Sequence, residues 1–164
     1  MTAIFPGSFD PPTLGHEDLI KRGVRLFDEV VVAVLYNPVK SPLFTVQERV
    51  SLLKEITEDI PGAQVEFYSG LLTEFAKTKS AEYILRGVRN ETDCAYEIPM
   101  AQANKGMHNR LETVIFATDP VYGYMSSGLI REIAAAGYSC GFDDKLLDQW
   151  VSPAVKEKLK SKFV

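Results

Sequence analysis

Apolar residues along this chain follow two alternating rhythms. Val30-Val31-Val32-Ala33-Val34-Leu35 is an unbroken, mostly β-branched run of the kind found in strands covered on both faces. Tyr83-Ile84-Leu85 and Thr113-Val114-Ile115-Phe116 read the same way, and Met1 to Phe5 and Val65 to Tyr68 bring the expected strands to about five. Between them the period changes to that of a helix. Leu19, Ile20, Val24 and Phe27 form one apolar stripe, and Val46, Val50, Leu53 and Ile56 another, with Thr45 and Glu48 spaced as its capping box. Leu71 to Thr78 predicts a short third helix. Asp93 to Asn104 predicts a fourth, kinked or broken at Pro99. Ser126 to Ala136 predicts a fifth. Beyond Gly141 the pattern is that of a helical tail, with Pro153 in a first turn and Val155, Leu159 and Phe163 spaced by four. Strands alternating with helices predict a doubly wound α/β fold, Rossmann-like, with a mostly parallel five-stranded sheet.

Composition adds bounds to this picture. The chain has 164 residues, 46% hydrophobic and 24% charged, which suits one core and a single domain over 1–164. Its net charge of −4 argues against broad attraction to nucleic acid or to an anionic membrane, so any polyanionic ligand must be met by locally clustered cations. No apolar run approaches the ~18 residues of a membrane span, and no charged segment followed by an apolar one marks a leader, so a cytoplasmic location is expected. Cys94 and Cys140 form no C-x-x-C unit, and only His16 and His108 supply imidazole. Neither a disulfide framework nor a protein-held metal site is expected.

The chemistry gathers in the loops that follow the strands. Phe5-Pro6-Gly7-Ser8-Phe9-Asp10-Pro11-Pro12-Thr13-Leu14-Gly15-His16 leads from a strand through a Gly- and Pro-rich turn into a helix. Such a turn aims unpaired backbone N–H groups at one point, a natural anion site, and His16 stands there. Its imidazole can donate a hydrogen bond to a phosphate oxygen, or carry charge if a bound anion raises its pKa against the lowering by the helix end. Asn37-Pro38-Val39-Lys40, Arg86-Gly87-Val88-Arg89 and Tyr122-Gly123-Tyr124-Met125-Ser126-Ser127-Gly128 follow three other strands. In an open α/β sheet these loops share one rim, where ligands bind. Lys40, Arg86 and Arg89, with Arg131 one turn into the last helix of the set, place positive charge around one pocket of an acidic protein, as a small polyphosphate requires. Arg86 and Arg89 also have Glu91 and Asp93 near them as structural partners, and Ser126-Ser127 also suits a helix cap.

These motifs together resemble the bacterial phosphopantetheine adenylyltransferases, within the nucleotidylyltransferases that carry a T/H-x-G-H motif. The family pattern P-G-[ST]-F-D-P-x-T-x-G-H is matched by Pro6 to His16, its lysine by Lys40, its R-G-[LV]-R with a following Y-E by Arg86 to Arg89, Tyr96 and Glu97, and its asparagine by Asn104. The resemblance implies transfer of AMP from ATP to 4'-phosphopantetheine, with Mg2+ accompanying ATP. It implies His16, Lys40 and Arg89 as catalytic residues. It places Gly7, Ser8, Phe9, Gly87, Glu97, Tyr122, Tyr124, Ser126, Ser127 and Gly128 with His16 and Arg89 on the ATP side. Ser8, Lys40, Leu72, Arg86 and Asn104 fall on the acceptor side. A homohexamer and feedback by coenzyme A are further implications.

Three positions depart from the family pattern: Gly128 where a third Ser or Thr is usual, Tyr122 where Trp is frequent, and Gly70 where an acidic residue stands. Two rival readings use the same turn. One is a nucleotidylyltransferase acting on nicotinamide mononucleotide or an alcohol phosphate, which R-G-V-R with Tyr96-Glu97 and Lys40 disfavours. The other is a regulatory module that binds ATP or coenzyme A without turnover.

Overall fold

The computed structural model describes residues 1–36 and 41–164. In chain order it contains β1 (Thr2–Gly7), α1 (Leu14–Gly23), β2 (Glu29–Leu35), α2 (Val46–Thr57), β3 (Ala63–Tyr68), α3 (Leu72–Thr78), β4 (Tyr83–Val88), α4 (Glu91–Met107), β5 (Glu112–Ala117), α5 (Ser127–Cys140) and α6 (Pro153–Phe163). Single-turn and short 3₁₀ segments, Pro120–Tyr122 and Asp144–Gln149, flank α5. The sheet is entirely parallel, with strand order β3-β2-β1-β4-β5. The chain winds outward from β1 to β3, then crosses back to β4 on the other side of β1. That reversal leaves a crevice at the carboxyl ends of β1 and β4, where ligands bind in folds of this class.

Successive strand residues point to opposite faces, and each face has its own core. Ala3, Phe5, Val30, Val32, Val34 and Leu85 pack with Leu19 and Ile20 of α1 and Leu53 of α2. Ile4, Val31, Ala33 and Ile84 pack with Phe75 and Ala76 of α3 and with Leu111. This explains why β1, β2 and the first half of β4 read as unbroken apolar runs. A third cluster, around Phe44, Ile130, Leu147, Trp150, Val155 and Leu159, joins α5 and α6 to the segment before α2.

The helix ends follow their capping residues. Thr45 and Glu48 form the expected capping box on α2, and Ser152 caps α6 with Pro153 in its first turn. α4 corrects the expectation of a break: it starts at Glu91, capped by Asn90, and runs on through Pro99 to Met107. Proline removes one donor from the helix ladder, but packing against α3, β4 and β5 carries the helix past it. No helix among the described residues is long and apolar enough to cross a membrane.

Candidate active site

Two clefts open at the crevice, of about 470 and 510 Å³. They share Pro6, Gly7 and Ser8 at the end of β1 and a wall made of Arg86 and Glu97. The first is lined by His16, Arg89, Asp93, Ser126, Ser127 and Arg131 among others, a set suited to phosphate. The second is lined chiefly by apolar side chains, including Leu35, Leu71, Leu72, Ile84, Met100 and Met107, with Asn104 at its polar end.

His16 is built into the cap of α1. Thr13 is the N-cap, its Oγ1 accepting the His16 N–H, while the Thr13 backbone N–H donates to His16 Nδ1 at 3.0 Å. A backbone N–H is always a donor, so Nδ1 is the unprotonated nitrogen and the ring proton sits on Nε2. Phe9 stands edge-on to the ring, with centroids 5.0 Å apart. Burial, and after it the charges of Arg86 and Arg89, lower the His16 pKa to about 4. The site therefore holds a neutral imidazole that presents Nε2–H; the alternative of a ring carrying charge does not apply to the unliganded protein. Phe9 itself takes a φ of +48°, uncommon for an aromatic residue, with its ring buried against Phe5 and His16.

Two glycines allow this close packing. A Cβ on Gly87 of β4 would fall 2.3 Å from Leu19 Cδ1 of α1, so glycine lets α1 sit down on the strand beside the site. A Cβ on Gly15 would crowd Tyr122 Cβ at 3.3 Å, so glycine lets Tyr122 lie close against the start of α1.

The cleft arginines arrive already partnered. Arg86 donates from Nε to Glu97 Oε2 at 2.7 Å, from Nη2 to Glu97 Oε1, and from Nη1 to the Pro6 carbonyl at 2.5 Å. Neither Glu91 nor Asp93 is its partner. Arg89 donates from Nε and Nη2 to Asp93, at 2.9 and 3.0 Å, and from Nη1 to the Met125 carbonyl. Their hydrogen bond raises the Arg89 pKa and lowers that of Asp93. Arg86 thus serves mainly as the wall between the clefts, and Arg89 links the start of α4 to the residue before the cap of α5.

The serines also hold the frame. Ser126 caps α5 by accepting the Leu129 N–H, and Ser127 Oγ donates to the Pro11 carbonyl at 2.7 Å. Gly7, Ser8, Phe9, Gly87, Glu97, Tyr122 and Gly128, assigned to the ATP side by the resemblance, all line the first cleft. Leu72 and Asn104 line the second. Tyr124 lines neither; its hydroxyl accepts from Trp150 Nε1 at 3.1 Å, and its ring is otherwise exposed. Lys40 lies outside the described residues.

Residues 4–133 match the family model described as Cytidylyltransferase-like. The phosphopantetheine adenylyltransferase of Caldanaerobacter subterraneus subsp. tengcongensis is 50% identical over 161 residues, covering 98% of this chain and 96% of that protein. The chain belongs to the phosphopantetheine adenylyltransferase family. The enzyme of the same name from Prochlorococcus marinus is 44% identical, covering 98% of this chain and all of that protein. Among solved structures, the nicotinic acid mononucleotide adenylyltransferase of Plasmodium falciparum complexed with NaAD aligns with 99% of this chain and 95% of its own, at a TM-score of 0.70 and 14% identity, a likeness of fold.

Several residues of this family member's site were missed in the sequence. Asp10 is 4% exposed and accepts the backbone N–H groups of Leu43 and Phe44, both at 2.9 Å. Arg49, 2% exposed, donates to the Ser8 carbonyl at 2.7 Å and so braces the phosphate-side turn from beneath. Trp150 accepts the Leu14 N–H with its carbonyl at 2.8 Å. Met100, Ala101 and Met107 extend the α4 face marked by Glu97 and Asn104. Steps of three and four from those two residues were the signal for them.

Proposed function

We propose that this chain transfers the adenylyl group of ATP to the phosphate of 4'-phosphopantetheine, giving dephospho-coenzyme A and pyrophosphate, the step before last in coenzyme A synthesis. One observation carries the reading: a phosphate-suited cleft and a mainly apolar cleft of about 510 Å³ meet at Gly7, Ser8 and the Arg86–Glu97 wall. The identity of the relatives supports the choice of acceptor.

An oxygen of the acceptor phosphate attacks the α-phosphorus, the bond from that phosphorus to the α,β-bridging oxygen breaks, and pyrophosphate leaves with the electron pair. The nucleophile is largely a dianion at neutral pH, so no base is needed. The protein's task is alignment and stabilisation of charge on the α-phosphate oxygens. His16 Nε2–H donates to those oxygens from a neutral ring, joined by turn amides around Ser8. Arg89, held by Asp93, faces the β- and γ-phosphates. Lys40 partners the acceptor phosphate on the strength of the resemblance alone, being outside the described residues. Arg86 and Glu97 align the two ligands across their shared wall.

Mg2+ belongs to the proposal as an ion carried by ATP. Among the described residues no group of three His, Cys, Asp or Glu is placed to hold a metal, and the cleft carboxylates Asp93 and Glu97 are taken by arginines; this arrangement fits an ion bound by phosphates and water. When bound, it offsets charge on the departing pyrophosphate. The homohexamer, coenzyme A as a feedback inhibitor in the same two clefts, and a cytosolic location complete the reading. Exposed Tyr96, Ile98, Met100 and Met107 on α4 and Ile115 on β5 support an oligomeric interface there, which mass photometry measures.

The test is pyrophosphate release from ATP and Mg2+ with 4'-phosphopantetheine, beside nicotinamide mononucleotide, glycerol 3-phosphate and no acceptor. Release with phosphopantetheine alone is expected. Release only with another acceptor overturns the acceptor assignment, and ATP binding without release under any condition favours the regulatory module.

A further inference from the structure

Arg49 is a buried cation without a carboxylate of its own. It stands at the end of the first turn of α2, is 2% exposed and lines neither cleft. Burial lowers its pKa, and the charge of Asp10 opposes this from a distance, since Asp10 itself is engaged by Arg131 and by the N–H groups of Leu43 and Phe44. Burying an ion in this way is unfavourable unless its donors are used. They are used on backbone: Nη1 donates to the Ser8 carbonyl at 2.7 Å and Nε to the Thr45 carbonyl at 3.4 Å.

The Ser8 carbonyl belongs to the peptide that joins Ser8 to Phe9. That peptide is trans, so its C=O and N–H point in opposite directions. With the carbonyl turned to Arg49, outside the clefts, the Phe9 N–H is turned the other way, toward the first cleft that Ser8 and Phe9 line with His16. No acceptor among the described residues takes it, although Phe9 is 2% exposed. A buried N–H without a partner is rare, and one at a cleft wall marks a place for an acceptor from outside the protein. The φ of +48° at Phe9 also needs support from its surroundings. Arg49 on one side, and Asp10 with its two amide contacts on the other, supply it.

Resting on the ATP-side reading above, we propose that Arg49 is a positioning residue for adenylyl transfer: by holding the Ser8 carbonyl it aims the Phe9 N–H at the α-phosphate oxygens, where charge grows as the acceptor attacks. Its positive charge behind the same peptide polarises that N–H further.

Two readouts on the whole enzyme test this. In kinetics with Mg–ATP and 4'-phosphopantetheine, Arg49→Met, similar in length but without donors, is expected to lower kcat about tenfold to a hundredfold with both KM values within about threefold, because the donor is aimed at charge that develops in the transition state. Arg49→Lys, which keeps the charge and a donor toward Ser8, is expected to recover most of that loss. In protein labelled at the phenylalanine nitrogens, with Mg–ATP and no acceptor, the Phe9 amide proton, assigned through Phe9→Leu, is expected to move downfield in wild type and Arg49→Lys and to stay in place in Arg49→Met. A folded Arg49→Met with the kcat of wild type overturns the proposal, and so does a loss confined to melting temperature or to the two KM values. If Arg49→Met does not fold, wild type and Arg49→Lys decide: a Phe9 proton that ATP leaves unmoved overturns the proposal, and one that moves, with a lower kcat at unchanged KM in Arg49→Lys, upholds it. No turnover with phosphopantetheine while ATP still moves the Phe9 proton overturns the functional reading and leaves this inference standing. A wild type that binds no ATP overturns both.

Discussion

Acidification probes the neutral imidazole at the centre of the site. His16 has a pKa near 4 in the folded chain, against an ordinary 6.5, because it is buried and because Arg86 and Arg89 face it. Below about pH 6.5 the unfolded chain takes up a proton that the folded chain refuses, so stability falls with pH until the folded ring itself protonates near 4. At about pH 5 the two values imply a loss of about 2 kcal/mol relative to pH 7.5, and water in the cleft reduces this to between about 1 and 2 kcal/mol. His16→Gln isolates this contribution, since glutamine at this position can accept the Thr13 N–H, as in a capping box, and does not titrate. Urea unfolding of both proteins at pH 7.5 and 5 should show the wild type losing about 1–2 kcal/mol more than the variant. Glu48, whose burial is outweighed by Lys162 and Lys158 so that its pKa falls to about 2, sheds its stability only between about 4.5 and 2, and leaves this window clear. Parallel losses in wild type and variant would refute the argument that burial and the two arginines hold the ring neutral.

Other substitutions test the frame around it. Glu97→Ala leaves Arg86 without its carboxylate in a largely buried wall, and a loss of about 2–4 kcal/mol is expected; a melting temperature within about 2 °C of wild type would contradict the role given to the pair. Gly87→Ala forces Leu19 and α1 away from β4, with an expected cost of about 1–3 kcal/mol in urea unfolding and a fall in turnover as His16 moves with the helix. Unchanged turnover would show that this contact does not set the position of His16. Thr45→Ala removes the side-chain cap of α2 but keeps the Thr45 carbonyl that Arg49 uses, and should lower stability by about 1 kcal/mol with kcat unaltered.

How much of this was legible beforehand depended on the range of the interactions. β1, β2 and β4 announced themselves because both of their faces are covered, and α2 because its capping box is local. α4 was harder: its buried residues are Glu97 and Asn104, polar side chains that line the clefts, so burial along it does not follow the apolar pattern. Arg89 and Asp93 are four residues apart, within reach of sequence reasoning. Arg86 with Glu97, and Arg131 with Asp10 across 121 positions, depend on strand order and on the return of α5 to the first turn. The same applies to the charge of His16. A motif names the imidazole, whereas its protonation follows from Thr13, Phe9 and two arginines that the fold brings to it.

The most direct measurement of the central claim follows the α-phosphorus. ATP chiral at that atom through a single sulfur substitution is incubated with 4'-phosphopantetheine and Mg2+, and the configuration in the product is determined. One displacement at the meeting point of the two clefts predicts dephospho-coenzyme A carrying the label with inverted configuration, formed in step with pyrophosphate. Retention, or label trapped on the protein, would contradict direct transfer between the two ligands.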